Sequence, residues 1–189
     1  MNEKIKQLWF PKGHLNEDQR DFLVKYVSDL KPKYCLETGF ASGRSCVTVY
    51  FSCLPQKMVS IDANLDYIKG AREHSQKILK EAKNLAILEE DSNAVNFQNL
   101  KKKYFDDNLI DFAFIDGNHS YKGCLKDLEN TITISKKGTV IIIDDYESGP
   151  PNGFAIKDVT NAVNDFAKSK NIKVEKWNNK GKGFAILKV

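Results

Sequence analysis

The chain has 189 residues, of which 41% are hydrophobic and 29% are charged, as in globular rather than disordered or fibrous proteins. Its 29 Lys and Arg against 25 Asp and Glu leave a net charge of +4, too weak a field to indicate a nucleic-acid partner. Apolar runs such as residues 140–143 are far shorter than the ~20 residues that cross a membrane. We therefore expect one water-soluble domain with a single core and no membrane partner.

The amino terminus and the cysteines favour a cytoplasmic location. The first six residues carry charge where a secretion signal needs an apolar stretch. The four cysteines form no Cys-x-x-Cys pair, so neither a zinc ribbon nor a disulfide scaffold is indicated. A reducing compartment is the simplest interpretation.

Short apolar segments alternate with helical patterns along the chain. Strands are predicted at residues 34–36, 58–61, 85–88, 110–115 and 139–143. Helices are predicted at residues 16–30, 42–54, 66–83, 121–134 and 157–169, and through Val95, Leu100 and Tyr104. Residues 174–177 and 184–189 flank Asn178-Asn179-Lys180-Gly181, which is typical of an antiparallel hairpin.

Five strands separated by helices require a parallel sheet with right-handed crossovers and helices on both faces. In such α/β sheets the ligand binds beyond the carboxyl ends of the strands. Every one of these ends carries polar or acidic residues. They are Glu37, Asp62, Asp91, Ser92, Asp116, Asp144 and Asp145.

A glycine pair follows the first strand and precedes a helix, in the pattern Gly39-x-x-x-Gly43. Glycines let backbone approach a ligand closely, and the helix start offers free N–H groups. The dinucleotide fingerprint and the phosphate loop are both absent, so a plain tight turn stays an alternative. Asp62 follows the next strand, where a carboxylate can bind both hydroxyls of a ribose. Asp91 and Ser92 follow the third strand, where an adenine amino group would be reached. For Asp62 and Asp91 alike, the alternative is a residue that caps a helix or forms a turn.

The order Glu-x-Gly-x-x-x-Gly, Asp62, Asp91-Ser92, Asp116, Asp144 and final hairpin resembles the class I S-adenosylmethionine-dependent methyltransferases. The resemblance extends from about Tyr34 to Val189. Residues 111–121 and 137–146 are similar to the metal-dependent O-methyltransferases of the catechol and macrocin-like sugar types. The resemblance to the methyltransferases implies a Rossmann-like, doubly wound, seven-stranded and mostly parallel sheet ending in an antiparallel hairpin. A single domain over residues 33–189 would carry residues 1–32 as a helical segment packed on it.

The resemblance also implies a role for each strand end. The reaction would move a methyl group from S-adenosylmethionine to a small hydroxylated acceptor such as a sugar, polyol or catechol. Glu37 would face the amino end of the cofactor, and its methionine portion would be lined by Gly39, Phe40, Gly43 and Ser45. Asp62 would hold the ribose, and Asp91 with Ser92 the adenine. A divalent cation would be held by Asp116, Asp144 and Asp145, with Asp116 also counted among the cofactor-binding residues.

The residues support a cation site independently. Neighbouring strands lie roughly 5 Å apart, so the ends carrying Asp116 and Asp144 should be close. Clustered carboxylates repel one another unless a proton or cation intervenes. Oxygen ligands suit Mg²⁺, Mn²⁺ or Ca²⁺ better than zinc. The alternative is that Asp145 starts a turn and Asp116 caps a helix.

His119 is the predicted catalytic base, acting beside Asp116, because an imidazole titrates near neutrality and the catechol type carries a catalytic lysine at this place. Asn118 stands where many sugar-type relatives have an aspartate base, and asparagine cannot serve as a base. Asp145 replaces the asparagine of the catechol type and adds negative charge. These departures leave the identity of the base open.

Two alternative functions share the same sheet. A NAD-linked oxidoreductase would need the third glycine that this turn lacks, and a non-catalytic nucleotide-binding module remains possible because fold alone does not confer function. A nucleic-acid methyltransferase lacks support, since the chain has no Asn-Pro-Pro-Tyr-like motif. Residues 9–15 and 147–154 are predicted to form a lid.

Overall fold

The computed structural model describes residues 2–147, 154–179 and 182–189. Seven strands form one sheet in the order β3-β2-β1-β4-β5-β7-β6. The strands are β1 (Tyr34–Thr38), β2 (Lys57–Asp62), β3 (Leu85–Glu89), β4 (Ile110–Ile115), β5 (Ser135–Ile143), β6 (Val174–Asn179) and β7 (Lys182–Lys188). The helices are α1 (Glu3–Gln7), α2 (Glu17–Leu30), α3 (Arg44–Cys53), α4 (Ala71–Glu81), α5 (Phe97–Tyr104), α6 (Tyr121–Ile132) and α7 (Phe154–Lys170). The predicted doubly wound sheet with its terminal hairpin is confirmed.

The central strand β1 pairs in parallel with β2 on one side and β4 on the other. The order of strand addition reverses between β1 and β4, so a crevice opens beyond their carboxyl ends. Thr38 is opposite Ile61 on one side and Ile115 on the other. This register places the turn after β1 directly beside the turn that follows β4.

Alternate residues of the buried strands face two separate apolar layers. Cys35, Met58, Phe112 and Phe114 join the layer that includes α2 and α3 residues. Their chain neighbours, such as Leu36, join the opposite layer, which includes residues of α5, α6 and α7. This alternation is the period of two that β-strands impose, and it buries both faces of the sheet beneath the crevice.

The amino-terminal segment packs on the first layer through α2. Asn16 caps α2 in a reciprocal capping box with Gln19, which agrees with the predicted start of this helix. Phe22 of α2 stacks on Trp177 of β6, with ring centroids 4.8 Å apart. The preceding helix α1 was not predicted, because five residues are too few for a periodic signal.

Two predicted boundaries differ from the structure for local reasons. The helix predicted from residue 66 begins at Ala71, because Gly70 at φ 87° ends the turn before it and Tyr67 is 69% exposed. Strand β5 begins at Ser135 and includes Gly138 at φ 89°, where a connecting loop was expected. Of the predicted lid loop, residues 148–153 lie outside the described residues. None of the described helices is both long and apolar enough to span a lipid bilayer.

Candidate active site

A cavity of about 590 Å³ lies beyond the carboxyl ends of the parallel strands. Each of the five parallel strands contributes residues to its wall through the turn that follows it. The lining includes Gly39 after β1, Asp62 at the end of β2, Asp91 and Ser92 after β3, Asp116 and His119 after β4, and Asp144 and Asp145 after β5. The structure therefore brings together most of the strand-end residues that the sequence indicated.

The turn after β1 is fitted to the turn after β4. Gly39 has a φ of 88°, and a Cβ placed on it would come within 2.0 Å of the backbone carbonyl oxygen of Asp116. The Asp116 N–H in turn donates to the Thr38 carbonyl at 2.8 Å. This position requires glycine for both its backbone conformation and the close approach of the two strand ends.

Three residues of the predicted methionine-binding set lie beneath the turn and do not line the cavity. Phe40 is 1% exposed and joins the apolar core. Gly43, at φ 80°, precedes α3, and a Cβ there would come within 2.7 Å of the Phe40 ring. Ser45 is buried in the first turn of α3. Gly39 is the member of that set on the cavity wall, and a direct role of the others stays a prediction.

Glu37 is completely buried within β1 and also does not line the cavity. Ser60 of β2 donates a hydrogen bond to one carboxyl oxygen, and the other, Oε1, has no hydrogen-bond partner. Burial raises the pKa of Glu37 to about 7, although the hydroxyl groups of Ser60 and Ser45 act in the opposite direction. The structure thus places this residue behind the turn, where contact with the amino end of a cofactor would be indirect.

The carboxylate of Asp62 is held by two backbone donors. Ala41 N–H donates to Oδ2 at 2.7 Å, and Asn64 N–H donates to Oδ1 at 2.8 Å. An ionised carboxylate offers about four acceptor sites, so each oxygen keeps capacity for one more donor. Asp62 is therefore oriented on the cavity wall and chemically able to accept bonds from a pair of hydroxyls.

The helix-cap alternatives do not hold for the acids after β3 and β4. Asn96 caps α5, and Ser120 caps α6, so neither Asp91 nor Asp116 has that role. Asp91 instead accepts a turn hydrogen bond from the Asn93 N–H at 3.0 Å. Both acids stay on the wall of the cavity.

A buried carboxylate that sequence reasoning missed supports this part of the wall. Asp127 of α6 accepts from the Thr38 hydroxyl at 3.1 Å and from the Asn93 side-chain amide at 2.7 Å, joining the end of β1 to the turn after β3. Burial raises the pKa of Asp127, while hydrogen bonds, including those from Thr38 and Asn93, act in the opposite direction. One signal was available, because Asp127 lies on the stripe of α6 that also carries Cys124 and Thr131.

Asp116, His119 and Asp145 form a cluster whose potential ligand atoms lie within 4.8 Å of one another. His119 Nε2 is 3.1 Å from Asp116 Oδ1, and its Nδ1 is 3.5 Å from Asp145 Oδ2. Asp145 has a φ of 58°, so it is a turn residue as well as a member of the cluster. The two carboxylates are hard oxygen ligands that fit a divalent cation such as Mn²⁺ or Mg²⁺.

Asp144, the third predicted cation ligand, is not a member of that cluster. Its Oδ1 accepts hydrogen bonds from Gln19 Nε2 at 2.8 Å and from the Asp145 N–H at 2.7 Å. Asp144 is buried at the cavity wall beside the cluster. The cluster therefore contains two of the three predicted cation ligands, and its third member is His119.

His119 does not have the near-neutral titration expected for a base. Its hydrogen bond with Asp116 and the nearby charges of Asp116, Asp145 and Asp144 raise its pKa to about 9, although burial acts in the opposite direction. At neutral pH the ring is therefore an imidazolium that neutralises the carboxylates around it. The sequence could not show this, because it depends on carboxylates brought from two strand ends.

The amino-terminal segment forms part of the wall and is held by Arg44. The guanidinium donates to four backbone carbonyls, those of Phe10, Pro11, Gly13 and Leu15. Its Cζ lies 4.8 Å from the centroid of the Trp9 ring. Residues 9–15 were predicted to cover the site, and one of them, His14, lines the cavity. The role of Arg44 was missed, although a cation in the first turn of a helix is unfavourable and needs another explanation.

Residues 36–146 match the family model described as a methyltransferase domain. Among solved structures, an O-methyltransferase from Bacillus cereus in complex with SAH has a TM-score of 0.76 at 16% identity, covering 100% of this chain and 91% of that one. The O-methyltransferase TomG from Streptomyces achromogenes, in complex with SAM, has a TM-score of 0.76 at 16% identity, covering 100% and 90%. The TDP-rhamnose 3'-O-methyltransferase CalS11 of calicheamicin biosynthesis has a TM-score of 0.66 at 16% identity, covering 98% and 93%. No curated protein sequence matches the chain.

Proposed function

Since its residues 36–146 match the methyltransferase-domain model, the chain belongs to that family, and we propose that it is an S-adenosylmethionine-dependent O-methyltransferase of a small hydroxylated acceptor. The observation that carries the proposal is a single cavity with two chemically distinct sides. One side presents Gly39, Asp62, Asp91 and Ser92, and the other presents the cluster around Asp116. A methyl donor on the first side would have its reactive end beside the second.

The first side suits the cofactor. The oriented Asp62 carboxylate can accept both ribose hydroxyls, and Asp91 with Ser92 follows the next strand of the sheet, on the side where the base would lie. The tight turn at Gly39 would bring backbone close to the methionine portion. Two of the similar structures carry SAH or SAM, which supports this ligand class for the present cavity.

The second side suits a divalent cation and the acceptor hydroxyl. Asp116 and Asp145 would hold the cation, with the neighbouring carboxylate of Asp144 completing the ligand set. A bound cation would stabilise the alkoxide or phenolate form of the acceptor and so make its oxygen a better nucleophile. The chain's own part is to fix these carboxylates and to align the acceptor oxygen with the sulfonium methyl group.

His119 stays the proposed base, under one condition. With a pKa of about 9 it is the conjugate acid at neutral pH, so it can take a proton from the acceptor only when the negative charge around it is compensated. No observation favours the NAD-linked or non-catalytic alternatives. A cytoplasmic location belongs to the proposal as well, supported by four cysteines that are all free thiols.

The experiment is methyl transfer from S-adenosylmethionine carrying a labelled methyl group to a panel of polyols, sugars and catechols. We expect labelled product with Mg²⁺ or Mn²⁺ and loss of product in excess EDTA. His119→Ala should lower turnover while leaving cofactor affinity nearly unchanged. Full activity in EDTA would remove the cation from the mechanism, whereas tight NADH binding without SAH binding would overturn the whole assignment.

A further inference from the structure

Gln19 is a fully buried polar residue that joins the amino-terminal segment to the active site. Both polar atoms of its side chain are used. Nε2 donates to Asp144 Oδ1 at 2.8 Å, and Oε1 accepts from the Asn16 N–H at 3.1 Å. A flipped amide would set donor against donor and acceptor against acceptor, so the orientation of this side chain is determined.

The bond from Gln19 constrains the carboxylate that it reaches. Asp144 Oδ1 also accepts from the Asp145 N–H at 2.7 Å, so two donors converge on one oxygen. Because Asp144 is only 4% exposed, few water molecules can replace either donor. The rotation of the carboxylate is therefore set jointly by a helix at the start of the chain and by the backbone of a cluster residue.

Helix capping alone does not account for a glutamine at this position. In a capping box the third residue of the helix is commonly Glu or Gln, and either would accept from the Asn16 N–H. A glutamate at position 19 would set a second carboxylate against Asp144 inside the protein, which is costly without a proton or cation. Glutamine, unlike an ionised glutamate, also supplies an N–H donor, and Asp144 accepts a hydrogen bond from that donor.

We propose that Gln19 is a positioning residue of the active site, which fixes the Asp144 carboxylate beside the cluster of Asp116, His119 and Asp145 and so sets the affinity of that cluster for a divalent cation. The inference rests on the proposed function in taking the cluster as a cation site. Residues hydrogen bonded to metal ligands commonly change affinity about 10- to 100-fold when they are removed.

The test follows Mn²⁺ binding by electron paramagnetic resonance of the free ion, without any turnover. Gln19→Met keeps length and helix propensity but removes the donor, and we expect it to weaken Mn²⁺ binding at least about tenfold. The matched control is Asn16→Ala, which removes the side-chain cap but keeps the backbone N–H that orients Gln19. It should lower thermal stability while leaving Mn²⁺ affinity unchanged. Titration with SAH should give wild-type affinity in both variants, which would show that both are folded. If Gln19→Met is unstable, Gln19→Leu takes its place in the same comparison.

A double-mutant cycle separates positioning from a general loss of structure. If Gln19 acts through Asp144, then Gln19→Met should add no further loss of Mn²⁺ affinity to Asp144→Ala. Unchanged Mn²⁺ affinity in Gln19→Met, or equal losses in both backgrounds, would overturn the inference. A wild-type protein that binds SAH but no Mn²⁺ would overturn it together with the cation part of the proposed function. Failure of SAH binding alone would refute the cofactor assignment, and the Mn²⁺ comparison would still decide the role of Gln19.

Discussion

Glu37 provides a prediction whose size follows from its burial. Its carboxyl group is fully buried with one oxygen lacking a hydrogen-bond partner, and its pKa is raised from 4.5 to about 7. Between these two pH values the folded protein holds a proton that the unfolded chain has released. Raising the pH through this window therefore lowers the free energy of unfolding. At about 1.4 kcal/mol per pH unit, the total loss above pH 7 is about 3 kcal/mol.

Glu37→Gln replaces the titrating group by a neutral one of the same shape. We expect the free energy of unfolding of the variant, relative to that of the wild type, to increase as the pH rises from 4.5 to 8. The increase over the whole window should be about 3 kcal/mol. Urea unfolding at several pH values, followed by the fluorescence of Trp9 and Trp177, measures this difference. A constant offset between the two proteins can arise from the new amide, so the pH dependence of the difference is the quantity that tests the reasoning.

The control is Glu129→Gln, the same chemical change at an exposed position of α6. Its stability should follow the wild type in parallel at every pH. If the curves of wild type and Glu37→Gln were also parallel from pH 4.5 to 8, Glu37 would be ionised in the folded protein throughout, and the account of its burial would be wrong.

Two further predictions concern the turns around the cavity. Gly39→Ala should lower the free energy of unfolding by about 3 kcal/mol or more in urea unfolding, because its Cβ would meet the Asp116 carbonyl. Gly138→Ala has nearly the same φ with nothing within 4 Å, so it should cost about 1–2 kcal/mol; equal losses would contradict the steric argument. Arg44→Lys cannot donate to four carbonyls, so amide hydrogen exchange of residues 10–15 should become faster, whereas unchanged exchange would show that another contact holds this segment.

The fold was predictable because its signals are local. The strand at residues 110–115 was predicted with its observed bounds, since six residues between polar turns form a largely apolar run. Helix α4 was predicted to begin at residue 66, because Tyr67 and Ile68 continue its apolar periodicity. Apolar periodicity does not indicate that Gly70 adopts a positive φ, and this residue separates Tyr67 and Ile68 from the helix.

The position of the cavity was predictable from the order of the strands, but the contacts between side chains in its wall were not. Parallel strands bring their carboxyl ends to one edge, so polar residues at five strand ends had to meet there. Asp144, which lies beside the cluster, accepts a hydrogen bond from Gln19, a residue 125 positions away in the chain. Likewise, the charge state of His119 depends on carboxylates from two turns. Contacts between side chains distant in sequence leave no periodic signal in a single chain.

The central claim is that this cavity binds the methyl donor through Asp62, and calorimetric titration with SAH tests it most directly. We predict one binding site in the wild type and a loss of affinity of about 10- to 100-fold in Asp62→Ala, as expected for losing a charged hydrogen-bond acceptor. Asp66→Ala, which removes an exposed carboxylate paired with Arg72, should bind SAH like the wild type. Absence of SAH binding in the wild type, or equal affinity in wild type and Asp62→Ala, would contradict the account.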